Sequence, residues 1–380
     1  MTEIQINLYG ALSLFGTLQG LILVLIFVSS RTFAKKSNKY LSIILLVFSV
    51  LNLVGALEEM DVYNRYPVMR FVPIIWYSII PPCLYLFVRH LTTAFINNRF
   101  WVTTLFVPFV LDFSFQVVEL VRFLTGNLQV PGDLEHHYFV VDIFESIAAI
   151  LTLIISIWSI RSISKYEESL YENFADIQDK SLLWLKRTLF GGCVLTLVWI
   201  SGALIDFFPN QLDNLLTRTL WIGLSVLIYW IGYSMLMKRE LFLSGELASL
   251  VSPESAQSNL SDKADKHYEK LLDVMSNQQI YQDPELNMSK LATITKLSKG
   301  YLSQIINQKE GKNFFDFVNS YRIKEVQERF SNPAYEHFSI MAIALDAGFK
   351  SKSTFNSVFK KMTGVTPSQY RTGHSKGEQI

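Results

Sequence analysis

The feature that most constrains this chain is a set of long apolar runs, all of which come before residue 261. Four of them contain no Asp, Glu, Lys or Arg: residues 8–28, 40–57, 188–205 and 219–237. A helix needs about 20 mostly apolar residues to cross a hydrocarbon core of roughly 30 Å, because its backbone polar groups must be satisfied within the segment. These four runs therefore predict transmembrane helices.

Three further runs predict spans with irregular features. Residues 71–88 are uncharged but contain three prolines, which should kink a helix. Residues 101–118 include Asp112, and residues 138–160 include Asp142 and Glu145. Together the runs predict an all-α N-terminal bundle of about seven transmembrane helices in residues 1–238, or five or six if a weaker run does not cross.

The composition argues against a soluble enzyme. Half of the residues are hydrophobic and 18% are charged, whereas ordinary soluble domains contain about 25% charged residues. Two cysteines cannot supply a disulfide scaffold or a cysteine-rich zinc site. The chain also lacks a phosphate-binding glycine-rich loop, an H-E-x-x-H motif and a G-x-S-x-G motif in a suitable context. We therefore expect neither an enzyme nor a cofactor, and no metal site is assigned.

The distribution of Lys and Arg in the loops predicts the orientation of the spans. With seven spans, thirteen Lys and Arg fall in one set of loops and four in the other. Basic loops favour the cytoplasmic side, which places the N-terminus outside and the C-terminal part in the cytoplasm. The first run follows Glu3 and precedes no cleavage site, so it is interpreted as an uncleaved span. The expectation is a multi-pass membrane protein.

Acidic residues are concentrated toward the predicted outer ends of the helices. Asp142 and Glu145 lie one turn apart on one helix face, just after His136 and His137. Ionisable residues inside a membrane usually face the bundle interior and mark a site. One hypothesis is an outward-facing pocket for a cationic or amine-bearing ligand, or a metal, formed by Asp112, Asp142, Glu145 and Asp206. The alternative is that these residues are interfacial and hydrogen-bonded to neighbours or water.

The C-terminal part has a different pattern. Residues 262–380 hold 17 Lys and Arg against 13 Asp and Glu, a net charge of +4, whereas residues 1–261 have a net charge of −3. A polar, serine-rich stretch over residues 239–262 predicts a linker. Residues 263–372 predict an all-helical module, followed by a polar tail over 373–380.

Turn and cap signals divide this module into short helices. Ser289, Ser298 and Ser351 are expected N-caps. Gly348 is suited to a left-handed C-cap, and Pro367 to a helix start. The expected helices are one beginning near residue 290 and others over residues 299–308, 313–330, 340–347 and 352–362, with a short last one. This order predicts two helix-turn-helix units joined by a linking helix.

Helical periodicity separates the core face from the outward face of two candidate recognition helices. Leu302, Ile305 and Ile306 are expected in the core of the first, and Phe355, Val358, Phe359 and Met362 in that of the second. Small polar residues on the outward faces favour approach to base edges, and flanking cations favour phosphate contacts. The alternative is a helical bundle with solvated polar faces. The expected base-reading residues are Gly300, Ser303, Gln304, Asn307, Ser353, Asn356 and Ser357. The expected phosphate-binding residues are Lys299, Lys312, Lys350, Lys352, Lys360, Lys361 and Arg371.

Two motifs extend the argument beyond periodicity. The sequence GFKSKSTFNSVFKK at 348–361, followed by GVTPSQYR at 364–371, closely resembles the signature of the AraC/XylS family of bacterial transcription regulators. Upstream, LSKGYLSQ at 297–304 and FVNSYR at 317–322 are similar to that family's first helix-turn-helix and linking helix. The resemblance covers about residues 270–372. It implies two recognition helices in successive major-groove turns on one face of DNA.

The resemblance also implies which residues face the bases. The family's base-facing positions fall on Gly300, Ser303 and Gln304, and on Ser353, Asn356 and Ser357. Many relatives carry an Arg on these faces, and this chain has none there. Arg is the commonest reader of guanine, whereas Asn and Gln pair with adenine. We therefore predict an A·T-leaning site that also depends on DNA shape.

The combined expectation is a membrane-anchored one-component transcription regulator. Its expected partners are promoter DNA, the lipid bilayer, an extracytoplasmic or membrane ligand, RNA polymerase and a second copy in a homodimer. Family members usually carry a soluble effector domain, which is replaced here by the bundle. Two alternatives remain: a transporter-like bundle whose state is reported by the tethered module, or a bundle that binds another membrane protein.

Overall fold

The computed structural model describes residues 7–29, 36–74, 76–92, 99–127, 132–178, 180–205, 212–237 and 264–375. The regular elements in these ranges are all helices, which confirms the predicted all-α class. The chain divides into two compact units, Met1–Ser164 with Leu182–Ser249, and Lys165–Ser181 with Leu250–Ile380. The predicted linker 239–262 and residues 376–380 of the predicted tail lie outside the described ranges.

The first unit contains the apolar helices. Six helical stretches in the described ranges are long and apolar enough to cross a membrane. The predicted total of seven is not confirmed. The elements are α1 (Leu8–Ser29), α2 (Lys36–Glu59), α3 (Val62–Arg65), two 3-10 turns (Pro67–Phe71 and Tyr77–Ile79), α4 (Ile80–Thr92), α5 (Arg99–Thr104), α6 (Val107–Leu124), α7 (Gly132–Asn173), α8 (Leu183–Ile205) and α9 (Leu212–Met237).

The proline-rich run over residues 71–88 differs from the prediction. It was expected to be one kinked span, but the helix begins only at Ile80 and α4 has 13 residues. Pro81 and Pro82 lie in the first turn of α4. The first backbone N–H groups of a helix have no partner within the helix, so prolines are tolerated there and not in the middle. The prolines therefore mark a helix start.

Small residues bring α1 against its neighbours. A Cβ on Gly16 would collide with the Ser225 hydroxyl of α9, and a Cβ on Gly20 would collide with Ser49 of α2. The Ser225 hydroxyl also donates to Asn52 Oδ1 at 3.0 Å. Glycine and serine at such contacts are typical of helices that pack closely in membranes.

The second unit contains short helices built around two apolar cores. They are α10 (Ala264–Ser276), a 3-10 turn (Ile280–Gln282), α11 (Met288–Thr295), α12 (Lys299–Glu310), α13 (Phe314–Ser331), a 3-10 turn (Pro333–Tyr335), α14 (Ile340–Asp346), α15 (Lys352–Thr363) and α16 (Pro367–Ser375). Residues 165–181, which the prediction included in the membrane domain, belong to this unit.

One helix contributes to both cores. Phe314 and Phe317 of α13 pack in the first core with α10, α11 and α12. Phe315 and Val326 of the same helix pack in the second core with α14 and α15. The linking helix therefore connects two helix-turn-helix units and is part of both.

Candidate nucleic-acid interface

The first helix-turn-helix unit is formed by α11 and α12. The Ser298 hydroxyl accepts a hydrogen bond from the backbone N–H of Tyr301 at 3.3 Å, as expected of an N-cap. The N-cap of α11 is Asn287, whose side chain accepts from the N–H of Lys290, and the predicted cap at Ser289 is wrong. Asn287 has an extended backbone, which an N-cap requires, whereas Ser289 already lies inside the helix.

The second helix-turn-helix unit is formed by α14 and α15. The Ser339 and Ser351 side chains accept from the backbone N–H groups of Ala342 and Thr354 and cap the two helices. Gly348 lies in the turn between them with a φ of 99°. The two helix-turn-helix units therefore follow the predicted order, with caps that begin each recognition helix.

The core faces of both recognition helices agree with the periodicity. Leu302, Ile305 and Ile306 are fully buried in α12. Phe355, Val358 and Phe359 are buried in α15, and Met362 packs against their core. The opposite faces therefore carry the polar residues that the sequence assigned to base reading.

Those polar residues are not equally accessible. Asn307, Ser353, Asn356 and Ser357 are exposed, whereas Gly300, Ser303 and Gln304 are half-buried. The Ser303 hydroxyl donates to Glu172 Oε2 at 2.7 Å, and the Ser353 hydroxyl donates to Gln178 Oε1 at 2.6 Å. The side-chain oxygen of Gln304 is buried and has no hydrogen-bond partner among the described residues. The second recognition helix thus presents the more open polar face.

The candidate phosphate-binding lysines fall into two groups. Lys312, Lys350 and Lys361 form ion pairs with Glu310, Glu285 and Asp316. The hydrogen bond from Lys350 is the main reason that the pKa of the Glu285 carboxyl is below its usual value. Lys299, Lys352 and Lys360 have no ion-pair partner in the part of the chain that the structure describes. These three cations are the ones best available to neutralise phosphates.

Arg371 occupies a different environment from the one expected of a phosphate contact. Its guanidinium donates to the backbone oxygens of Phe338, Tyr335 and Glu336 at 2.7, 3.1 and 2.7 Å. It also lies over the ring of Phe330. The side chain therefore holds the loop before α14 and has few donors left for DNA.

A buried arginine, to which no role was assigned from the sequence, joins the two helix-turn-helix units. Arg322 is fully buried in α13, and its Nε and Nη2 donate to the backbone oxygens of Tyr281 and Asp283 at 2.7 and 2.9 Å. Burial lowers its pKa to about 10, so the guanidinium stays protonated at neutral pH. Gly348 approaches the same Tyr281 oxygen from the second unit. Only the motif FVNSYR marked this position in the sequence.

In the first compact unit, which contains the apolar helices, the structure describes three of the four candidate ligand residues. Asp112 is buried and accepts hydrogen bonds from Ser78 and Gln116, both at 2.8 Å. Asp142 is exposed, and Asp206 lies outside the described residues. Glu145 alone of these described carboxyls lines a cavity of about 170 Å³. In the described ranges no group of three His, Cys, Asp or Glu side chains could hold a metal ion.

That cavity lies among α2, α4, α7, α8 and α9 within the first unit. Its wall is mainly apolar and aromatic, with a few hydroxyl groups and the Glu145 carboxyl. Representative lining residues are Phe87, Trp221, Leu224, Tyr77, Thr152 and Thr188. The shape is compatible with a small, largely apolar guest that carries one polar group.

The helix-turn-helix region is similar to known proteins. Residues 291–373 match the family described as a helix-turn-helix domain. The chain is 29% identical over 119 residues to an uncharacterized HTH-type transcriptional regulator of Staphylococcus aureus (strain COL), covering 31% of this chain and 15% of that protein. It is 34% identical over 89 residues to the melibiose operon regulatory protein of Escherichia coli (strain K12), covering 23% of this chain and 28% of that protein.

The similarity is confined to part of each protein. The chain spans less than a third of the length of these curated relatives. No solved structure matches the chain significantly. The comparisons therefore concern the helix-turn-helix region.

Proposed function

We propose, from the AraC-type helix-turn-helix domain that residues 291–373 form, that this chain is a membrane-anchored transcription regulator. The observation that carries the proposal is the pair of capped recognition helices, α12 and α15, on one linking helix. Six apolar helices precede this domain in the chain. In the proposed orientation the N-terminus is outside a bacterial inner membrane and the domain is in the cytoplasm.

The proposed interface divides the residues by role. Asn307, Ser353, Asn356 and Ser357 read base edges because they are polar and exposed. Ser303, Gln304 and Gly300 contribute where α12 enters the groove. Lys299, Lys352 and Lys360 neutralise phosphates, and Lys312, Lys350 and Lys361 become available when DNA phosphates displace their carboxylate partners. A pair of chains on repeated half-sites would gain affinity from effective concentration.

Selection of preferred duplexes from a random pool by the full-length protein in lipid nanodiscs tests this proposal. We expect one enriched motif with two blocks about one helical turn apart, leaning toward A·T, and affinity that falls steeply with salt. If no motif is enriched, the proposal that this domain regulates specific sequences is wrong.

Two variants serve as matched probes of the selected site. Asn356→Ala should relax the preference at one base position. The discrimination in favour of the preferred base should fall by about 5- to 150-fold. Lys360→Ala should weaken binding to all sequences alike and reduce the salt slope by about one. The assignment of roles fails if Lys360→Ala changes the preferred bases or if Asn356→Ala leaves them unchanged.

We also propose that the cavity beside Glu145 receives the signal ligand. A cavity of about 170 Å³ matches a guest near the size of one aromatic ring, since an engineered apolar cavity of about 150 Å³ in another protein binds benzene. A single carboxyl on an apolar wall favours a small amine. This reading replaces the wider acidic pocket with one residue, Glu145.

Binding of benzylamine and benzyl alcohol to the full-length protein tests the role of Glu145. Benzylamine should raise the thermal midpoint in a concentration-dependent way, since a ligand at 100 times its Kd stabilises the folded state by about 2.7 kcal/mol. Glu145→Gln should remove most of the amine effect and keep any effect of the alcohol. Asp142→Asn, at an exposed carboxyl one turn away, is the control. Equal losses in both variants would contradict the assignment.

A further inference from the structure

The described residues 165–178 and 180–181, at the end of α7 and before α8 in the chain, lie against both helix-turn-helix units. They include the last turns of α7 and the residues that follow. They belong to the second unit although apolar helices precede and follow them in sequence. We call them the docking segment.

The docking segment is anchored by buried contacts. Ala175 is fully buried in the first core, and its carbonyl accepts from Asn319 Nδ2 of α13 at 3.0 Å. The Tyr171 ring meets the edge of Phe315 with centroids 5.2 Å apart. Ile177 packs against the second core. The segment therefore bridges the two units alongside the linking helix.

The same segment makes polar contacts with candidate base-reading residues. Glu172 Oε2 accepts from the Ser303 hydroxyl at 2.7 Å in the first unit. Gln178 Oε1 accepts from Ser353 at 2.6 Å in the second unit. Each recognition helix thus has a polar side chain already occupied by the segment.

The docking segment also contacts the N-terminal turn of α15. The Gln178 oxygen also accepts from Thr354 Oγ1 at 3.2 Å and from the Ser351 hydroxyl. Asp176 Oδ1 accepts from Thr354 at 3.2 Å. A DNA-reading helix approaches the major groove with its N-terminal residues, so these contacts lie at the end that would enter first.

Charge makes the docking segment a mimic of DNA. Residues 165–181 contain five Asp and Glu against two Lys, while residues 262–380 have a net charge of +4. Side chains from this acidic segment lie on faces proposed to meet the phosphate-bearing duplex. The segment therefore has the same sign of charge as DNA and occupies the hydroxyl groups of Ser303 and Ser353, which the proposed interface assigns to base reading.

We propose that the docking segment is an autoinhibitory surface that competes with DNA for both recognition helices. This inference rests on the proposed DNA binding. Apparent DNA affinity is proportional to the fraction of the module that is undocked, so docking lowers it. Because the segment continues into α7 and α8 in the chain, a change in those helices that withdraws it would expose both recognition helices together.

A reversible crosslink tests the competition in the full-length protein in nanodiscs. Phe174 and Asn287 form an isolated antiparallel bridge, and such pairs have Cα separations of about 4.5–5.5 Å, which a disulfide can span. Cys83→Ala and Cys193→Ala remove the native thiols, and Phe174→Cys with Asn287→Cys provides the new pair. We expect DNA affinity to fall at least about tenfold on oxidation and to return on reduction.

Each form of the crosslinked protein has an internal reference. Oxidised and reduced samples share all substitutions, including the loss of the Asn287 cap, so differences in folding do not enter the comparison. The Asn287→Cys single variant controls for oxidation without a crosslink. Equal affinities of the oxidised and reduced forms would overturn the autoinhibition and leave DNA binding intact. Absence of sequence-specific binding in every form, wild type included, would overturn the proposed function and this inference together.

A second pair of variants tests the polar contacts without a crosslink. Glu172→Ala with Gln178→Ala removes the acceptors for Ser303 and Ser353 and keeps the buried Ala175. We expect DNA affinity to rise about three- to tenfold. Glu168→Ala, which removes an exposed carboxylate from the same segment, should leave affinity within about twofold of wild type. A rise of equal size in the control would show a general charge effect and overturn the specific competition.

Discussion

Gly348→Ala is expected to lower the free energy of unfolding of the second helix-turn-helix unit by at least about 3 kcal/mol. Gly348 has a φ of 99°, a conformation that L side chains rarely adopt. A Cβ there would lie 2.5 Å from the Tyr281 backbone oxygen and 2.9 Å from the Cα of Gln282. Backbone atoms cannot rotate away, and the Tyr281 oxygen is also held by Arg322. Strain and collision therefore add.

Gly364→Ala is the matched control for that substitution. Gly364 ends α15 with a φ of 82°, but a Cβ there would meet nothing within 4 Å. Only the backbone conformation is penalised, which costs roughly 1–2 kcal/mol. Hydrogen exchange of peptides from residues 264–375 in the full-length protein measures both. If the two variants lost similar protection, the close approach to Tyr281 would not be the cause.

Arg322→Ala is expected to lower the free energy of unfolding of the helix-turn-helix domain by about 3–5 kcal/mol. The substitution leaves the backbone oxygen of Tyr281 without its charged donor, and a buried unsatisfied acceptor costs about 1–3 kcal/mol. It also opens a cavity beside Phe349, over whose ring the guanidinium lies. Because Arg322 holds the turn before α11, which Gly348 of the second helix-turn-helix unit approaches, the loss of protection should extend to both helix-turn-helix units.

Two further substitutions separate charge from geometry at this position. Arg322→Lys keeps the charge but lacks the planar fork that reaches two carbonyls, so it should recover only part of the stability. Lys324→Ala, on the exposed side of the same helix, should change stability by less than about 0.5 kcal/mol. Protection of the lysine variant equal to wild type would mean that the two-carbonyl geometry contributes little.

Both positions lie at the joint between the two helix-turn-helix units, beside Tyr281. Tyr281 accepts from Arg322 of the linking helix and touches Gly348 of the second unit. Its own hydroxyl donates to Glu325 at 2.9 Å. A partly folded variant at this joint should therefore lose the paired blocks of its DNA motif before it loses affinity for a single block.

Local signals in the sequence predicted the helices and their faces. The i, i+3 and i+4 spacing of Leu302, Ile305 and Ile306 identified the buried side of α12, and all three are fully buried. The Ser298 and Ser351 caps were also correct. Such signals operate within one or two turns, so no knowledge of the rest of the chain is needed. The error at Ser289 arose because Asn287, two residues earlier, offered the same signal.

Features that depend on distant residues could not be predicted in this way. Proline content identified irregularity in residues 71–88 but not the start of α4 at Ile80. Charge placed Arg371 among phosphate contacts, whereas three backbone oxygens occupy its guanidinium. Depth grouped four acidic residues, of which Glu145 lines the cavity. In each case the residue type was informative and its partner was not.

The sequence by itself determined that apolar helices precede a capped, two-part helix-turn-helix domain, because apolar run length, periodicity and caps are properties of neighbouring residues. Only the tertiary structure decided that Arg322 joins the two parts and that the docking segment contacts both recognition helices. Ser303 and Glu172 are 131 residues apart in the chain, and Ser353 and Gln178 are 175 residues apart. Contacts at such separations depend on how the whole chain closes on itself, and no local pattern encodes them.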